Sequence, residues 1–204
     1  NLSGFMDYDS GLKYTFTVSG TQSTVYNRNC LLSLYYDQNY YYDKAVGMNA
    51  GSTYEGGYCV VTTASNGEMS YLAVVMDADS VDDKIMSYVN AQNMFEWAFA
   101  SYMYLDVLSP ETVVCEVPVN LSVGIDHITL VSGETLSVYL PVDTDIEKEI
   151  TLSFTTNEDE LTAPIEKGQL VGRVTALYHG EPIGTADLIS TVDVERSDLL
   201  FGLS

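Results

Sequence analysis

The chain has 204 residues, enough for one large or two small cores, and a hydrophobic content of 46% with a mean hydropathy of +0.04 describes a soluble globular protein. Eight Lys and Arg against 29 Asp and Glu give a formal charge of −21, which excludes nucleic acid phosphates and anionic membrane faces as partners. Only 18% of residues are charged, so the imbalance reflects scarce bases rather than acidic tracts, and disorder is not implied.

No apolar run approaches the roughly 20 residues that cross a bilayer, and no basic-then-apolar signal segment opens the chain. The first 26 residues hold one strand pattern, Lys13-Tyr-Thr-Phe-Thr-Val. Ser10 stands three residues before Lys13 and formally matches a Ser-x-x-Lys nucleophile signature. That signature needs a helix, which sets the amine one turn from the hydroxyl. Here glycine follows Ser10 and a strand pattern follows Lys13, so Ser10 is not read as a nucleophile.

Asn29-Cys-Leu-Leu-Ser-Leu reads as a short helix capped by Asn29. The tyrosine-rich run from Tyr35 to Tyr42 reads as a loop packing against a sheet, in preference to a sugar-stacking platform. The stretch from Lys44 to Asp77 then organises the first half. Strand patterns Tyr58 to Thr63 and Met69 to Met76 flank a turn at Ser65-Asn66-Gly67, and Gly56-Gly57 leads into the first of them. The result is three consecutive antiparallel strands with an exposed first strand.

After an acidic loop from Asp77 to Asp83 comes a helix. Met94, Trp97, Ala98 and Tyr102, with Phe95 and Phe99 beside them, recur at three- and four-residue steps and predict one broad buried face. Composition changes at Pro110. From there strand patterns alternate with turns: Val113 to Val119, Ile128 to Val131, Leu136 to Leu140, Ile150 to Thr155, Leu170 to Leu177 and Leu188 to Val194. Cys30, Cys59 and Cys115 have no metal-like spacing, and an odd count argues against a disulfide framework. His127 and His179 lie far apart without acidic neighbours in a ligand pattern, so no metal or cofactor is expected.

Two groups of residues carry a family resemblance. Gly47-Met48-Asn49-Ala50-Gly51-Ser52-Thr53 stands where serine-type D-Ala-D-Ala carboxypeptidases, the low-molecular-mass penicillin-binding proteins, carry Gly-[Ile/Met]-Lys-Thr-Gly-x-Thr; Asn27 to Leu32 and Tyr40 to Tyr42 precede it in the same order. Leu161-Thr-Ala-Pro-Ile-Glu-Lys-Gly-Gln-Leu-Val-Gly is similar to a stretch of the β-domain that follows the catalytic domain in that family; within it Ala163-Pro164 reads as an extended entry, Lys167-Gly168 as a turn, and Val171 as a returning strand with Gly172 at a crowded spot. The resemblance covers about residues 13 to 200.

It implies an α+β, mainly β fold: residues 1–107 as the C-terminal part of a catalytic domain, an antiparallel sheet with a covering helix, and residues 108–204 as a small all-β, sandwich-like domain. It also implies a substrate-binding strand, Asn49, Ala50, Gly51, Ser52 and Thr53, altered in content. Asn49 lacks the charge that a family lysine would offer a substrate carboxylate, Ala50 lacks the threonine hydroxyl, and the Ser52 amide stands where an oxyanion hole would draw a donor. Ser-x-Asn, the family's second triplet, does not occur, and no catalytic residue is assigned. By resemblance the setting is a bacterial cell envelope. The partners would be a peptidoglycan stem peptide or a β-lactam, once a further N-terminal part completes the site, together with self-association or a separate N-terminal piece. A peptidase fragment and a non-catalytic, peptide-binding relative are the two readings to separate.

Overall fold

A computed structural model describes residues 11–110, 112–158 and 160–197, so Ser10 lies outside the described residues. The chain divides into two compact units, Asn1–Ser101 and Tyr102–Ser204.

The first unit opens on a hairpin, β1 (Lys13–Val18) and β2 (Thr21–Tyr26), turned by Ser19 and Gly20 at φ of 50° and 82°. Two successive positive φ values match the right-handed twist of the flanking strands. The sequence pattern gave only the first strand, because β2 is exposed along its whole length and has no buried face to alternate with. β3 (Ala45–Thr53), β4 (Gly57–Ser65) and β5 (Ser70–Ala78) then form the expected antiparallel meander in that order. A two-residue hairpin, β6 (Ser80–Val81) and β7 (Lys84–Ile85), replaces the acidic loop and turns through Asp82 and Asp83, both at positive φ.

Helix α1 (Met86–Ser101) covers one sheet face, but not with the side the periodicity selects. Tyr88, Ala91 and Phe95 are buried, while Met94 and Trp97 are 47% and 63% exposed. The helix is apolar on both flanks over residues 94–99, so spacing alone does not choose a face. The tyrosine loop does. Tyr40 packs on Tyr88 with ring centroids 5.0 Å apart, and Tyr42 stacks on Phe95 at 6.1 Å. Both belong to the buried cluster with Val60, Ala64 and Ala73. The loop is therefore a structural element, and Asn29 to Leu34 within the preceding segment forms turns rather than a helix.

Glu96 ties this loop to α1, accepting from Tyr42 Oη at 2.6 Å and from Lys44 Nζ at 2.9 Å. The tyrosine hydroxyl first, then the lysine, hold its carboxyl below the usual range. A depressed folded value contributes stability that is present above the unfolded value of about 4.3 and is lost as pH falls through the folded one. Glu96→Gln should therefore cost stability at neutral pH, under about 1 kcal/mol because the site is solvated, and the gap should close in acid. Urea midpoints of both proteins from pH 7 to below pH 4 would measure it.

The second unit begins at Tyr102, not at residue 108. Strand β8 (Tyr102–Leu108) pairs with β11 (Leu136–Pro141) as a two-stranded ribbon, which carries residues 102–107 into this unit. The rest is one sheet in the order β12 (Ile150–Thr156), β14 (Leu170–Tyr178), β15 (Glu181–Ser190), β10 (His127–Ser132), β9 (Val113–Asn120), β13 (Leu161–Thr162), with a short helix α2 (Ile146–Glu149) before β12. Among the described residues of this sheet only the β13–β9 pairing is parallel. Alternation along these strands buries Leu130, Val174, Ala176 and Leu188 completely.

The last strand runs ten residues, Glu181–Ser190, so it begins and ends earlier than the Leu188 to Val194 pattern read from the sequence. A Cβ at Gly184 would lie 2.9 Å from the tip of the Leu136 side chain, which would have to move aside for it. In the 161–172 segment, Gln169 N–H bonds Glu166 O at 3.0 Å with Gly168 at φ 81°, which makes the expected Lys167-Gly168 turn.

Candidate functional site

Asn49, Ala50, Gly51, Ser52 and Thr53 lie on β3, which is an edge of its three-stranded sheet. Ladder partners Val61, Val60, Cys59, Tyr58 and Gly57 occupy its inner side. Ala50 turns its methyl into the core under α1, and the neighbours Asn49 and Gly51 turn to the opposite face. Asn49 Oδ1 accepts from the Ala50 amide at 2.9 Å, so the residue in the lysine position spends its side chain on its own strand. No atom lies within 4 Å of where a Gly51 Cβ would stand, and Ser52 and Thr53 are exposed. The sheet face away from α1 also exposes Leu72, Val74 and Met76.

Beside β3 opens a cleft of about 640 Å³, with Lys13, Tyr14, Tyr26 and Arg28 on one wall and Asn49, Ala50 and Gly51 on the other. Lys13 and Arg28 make no ion pair with a carboxylate among the described residues. In a chain of charge −21 this sets two unneutralised cations beside one strand edge. Arg28 was not singled out from sequence, and Lys13 entered only as the start of a strand pattern and the end of the formal Ser-x-x-Lys match.

The backbone that carries Arg28 is built in. Asn29 is fully buried; its Nδ2 donates to Thr62 Oγ1 at 3.0 Å and its Oδ1 accepts from Leu31 N–H at 3.1 Å. Thr62 in turn donates to Gly47 O at 2.7 Å, so the loop is pinned to the start of β3. Tyr88 Oη donates to Arg28 O at 2.9 Å, and burial above all raises its phenol pKa, which keeps it a neutral donor.

No serine hydroxyl among the described residues bonds a lysine or a histidine. The three cysteines are free, and burial pushes the Cys30 and Cys115 thiols up, away from reactive thiolate character. His127 sits 3.3 Å from Asp126 and His179 3.5 Å from Glu149, both solvent-exposed. The site thus sets two cations beside an exposed strand edge, and among the described residues these side chains do not assemble an activated nucleophile.

Residues 105–196 match the family described as penicillin-binding protein 5, C-terminal domain. The chain is 30% identical over 150 residues to the D-alanyl-D-alanine carboxypeptidase DacC of Escherichia coli (strain K12), covering 74% of this chain and 36% of that protein. It is 26% identical over 165 residues to the D-alanyl-D-alanine carboxypeptidase DacF of Bacillus subtilis (strain 168), covering 78% and 40%. A solved structure of a peptidoglycan synthesis regulatory factor, penicillin-binding protein 3 of Streptococcus pneumoniae, shares the fold with a TM-score of 0.52 at 17% identity, over 95% of this chain and 53% of that one.

Residues 105–196 of the second unit thus match the penicillin-binding protein 5 C-terminal domain family, and the chain as a whole is similar to D-alanyl-D-alanine carboxypeptidases. It spans about two fifths of the length of the curated relatives it matches, between 36% and 42%. Among the described residues no helix is long and apolar enough to cross a membrane.

Proposed function

We propose that this chain is the substrate-contacting strand and β-domain of a D-Ala-D-Ala carboxypeptidase-type protein of the bacterial envelope. In this reading it holds the carboxyl end of a peptidoglycan stem peptide without forming an acyl-serine itself. The observation that carries the reading is the edge of β3 facing Lys13 and Arg28 across one cleft. An extended peptide adds to such an edge through its main chain, while a cation at the end of the groove reads its terminal carboxylate.

Asn49 and Ala50 support the non-acylating side of the reading. Acyl transfer needs a nucleophile with its base, and a lysine at this strand would take part in proton transfer; a neutral amide bonded to its own neighbour does not. A fluorescent penicillin should accordingly leave no covalent label on the chain, and stoichiometric labelling would overturn that half of the reading.

The binding half is tested by NMR titration with an N-acetylated peptide ending in D-Ala-D-Ala and with its C-terminal carboxamide. The free acid should bind about tenfold tighter, and Arg28→Ala should remove that preference, as expected for one charge-assisted hydrogen bond. Equal affinity for acid and amide would refute the cleft as a carboxylate site.

A further inference from the structure

Helix α1 begins inside the first unit without a side-chain cap. Ile85 precedes its first residue, and its first turn holds no acidic residue. The Met86 amide donates to Asp79 O at 3.0 Å. The amides of Ser87 and Tyr88 come before the first intrahelical bond, and neither has an acceptor among the described residues. Both residues are buried, at 1% and 6% exposure, so two N–H groups are withdrawn from bulk water without a partner.

The Ser87 hydroxyl is in the same position, for it makes no hydrogen bond among the described residues. Among those residues the only wholly enclosed, unpaired side-chain oxygen or nitrogen is Thr144 Oγ1, so the Ser87 oxygen opens onto the cavity that Ser87 lines. That cavity measures about 340 Å³. Arg28, Tyr36 and Ser52 bring further polar side chains to it, Ala50 and Gly51 form its wall on β3, and no carboxylate lines it.

Arg28, Ala50 and Gly51 also line the β3 cleft, so cleft and cavity meet at these three residues. The absence of a side chain at Gly51, with open space above it, leaves the passage between them clear.

We propose that this cavity seats the terminal carboxylate of the ligand that extends along β3, with the Arg28 guanidinium, the Ser87 hydroxyl and the Ser87 and Tyr88 amides as its donors. The seat rests on the reading of the β3 cleft given above, and it adds the start of α1 and makes Ser87 a specificity-determining residue. An uncapped helix start favours an anion through its free amides and through the positive end of the helix dipole. A carboxylate accepts at about four lone-pair sites, enough for all of these donors.

Other occupants fit less well. In a chain of charge −21, a cavity with one cation and no carboxylate selects for negative charge. A cation would meet Arg28 and the positive helix end. An apolar group would leave three buried donors unpaired, at the full cost of their desolvation.

The isotope-labelled chain would be titrated with the N-acetylated D-Ala-D-Ala peptide and with its C-terminal carboxamide. The acid alone should shift the Ser87 and Tyr88 amide resonances. Ser87→Ala should lower affinity for the acid about five- to tenfold and leave the carboxamide within about twofold. Ser87→Asp, which sets a carboxylate beside the same amides, should abolish the preference for the acid. Inorganic phosphate should compete with the acid and not with the carboxamide. Unchanged thermal melting of both variants would show that the loss is not unfolding.

A preference for the acid that survives Ser87→Ala, or that leaves the Ser87 and Tyr88 resonances unmoved, would overturn the seat while the cleft reading stands. Equal affinity of the wild type for acid and carboxamide would overturn both. Phosphate shifts at Ser87 and Tyr88 without any response to the peptide acid would overturn the seat in favour of a site for a free oxyanion.

Discussion

Gly172→Ala should destabilise the second unit by about 3 kcal/mol or more, since overpacking against rigid backbone leaves no low-energy escape. A Cβ at this position would stand 2.2 Å from Thr155 O and 3.0 Å from Thr156 Cα, at the end of the β12–β14 ladder where Gly172 pairs with Thr156. Nothing there is the movable end of a side chain, so the strands must part. For a unit of this size the loss should lower the melting temperature by roughly 12 °C or more. Gly51→Ala is the matched control, because open space surrounds the new methyl, and its stability should change by less than about 0.5 kcal/mol. Circular dichroism melts of both variants decide it; equal destabilisation would mean that the β12–β14 approach is not what requires glycine.

Phe95→Ala should be the most damaging single truncation in the first unit, costing about 3–5 kcal/mol. Its side chain is 1% exposed, stacks on Tyr42 and joins the helix to β4 in the buried cluster. Met94→Ala, one residue earlier and 47% exposed, should cost less than about 1 kcal/mol. Urea unfolding of the pair tests which face of α1 is buried. The opposite order would restore the Met94 and Trp97 face that periodicity alone suggests.

That reversal shows where sequence reasoning stops. Strand alternation and turn residues are local, so the β3–β5 meander and most strands of the second unit were legible at once. The 161–172 segment was legible for the same reason, its turn and its crowded Gly172 both being written into neighbouring residues.

The face of α1 was not, because its apolar residues surround the helix and the tyrosine loop, some fifty residues earlier in the chain, makes the choice. The unit boundary was misplaced because the sequence shows a proline at 110, whereas the boundary is set by the pairing of β8 with β11. Of the candidate site, the strand from Asn49 to Thr53 was visible as a pattern. Arg28 was not, since an exposed arginine carries no periodic signal. Its meaning comes from the buried Asn29 that anchors the loop and from the cleft it shares with β3.

The order of strands in the two sheets also dictates how the chain acquires its structure. In the first unit β3, β4 and β5 pair with their neighbours in sequence, and the loops to be closed are short. In the second, β14 and β15 meet across a two-residue turn, but β10 must find β15 with Leu130 opposite Ser190. Closing such a loop requires the loss of much more chain entropy before any contact compensates, and rates fall as contacts become less local. The hairpin of β14 and β15 is then the natural nucleus of the second unit. During synthesis the first meander and its helix are complete while β10, already paired with β9, still waits for β15, which has not yet emerged.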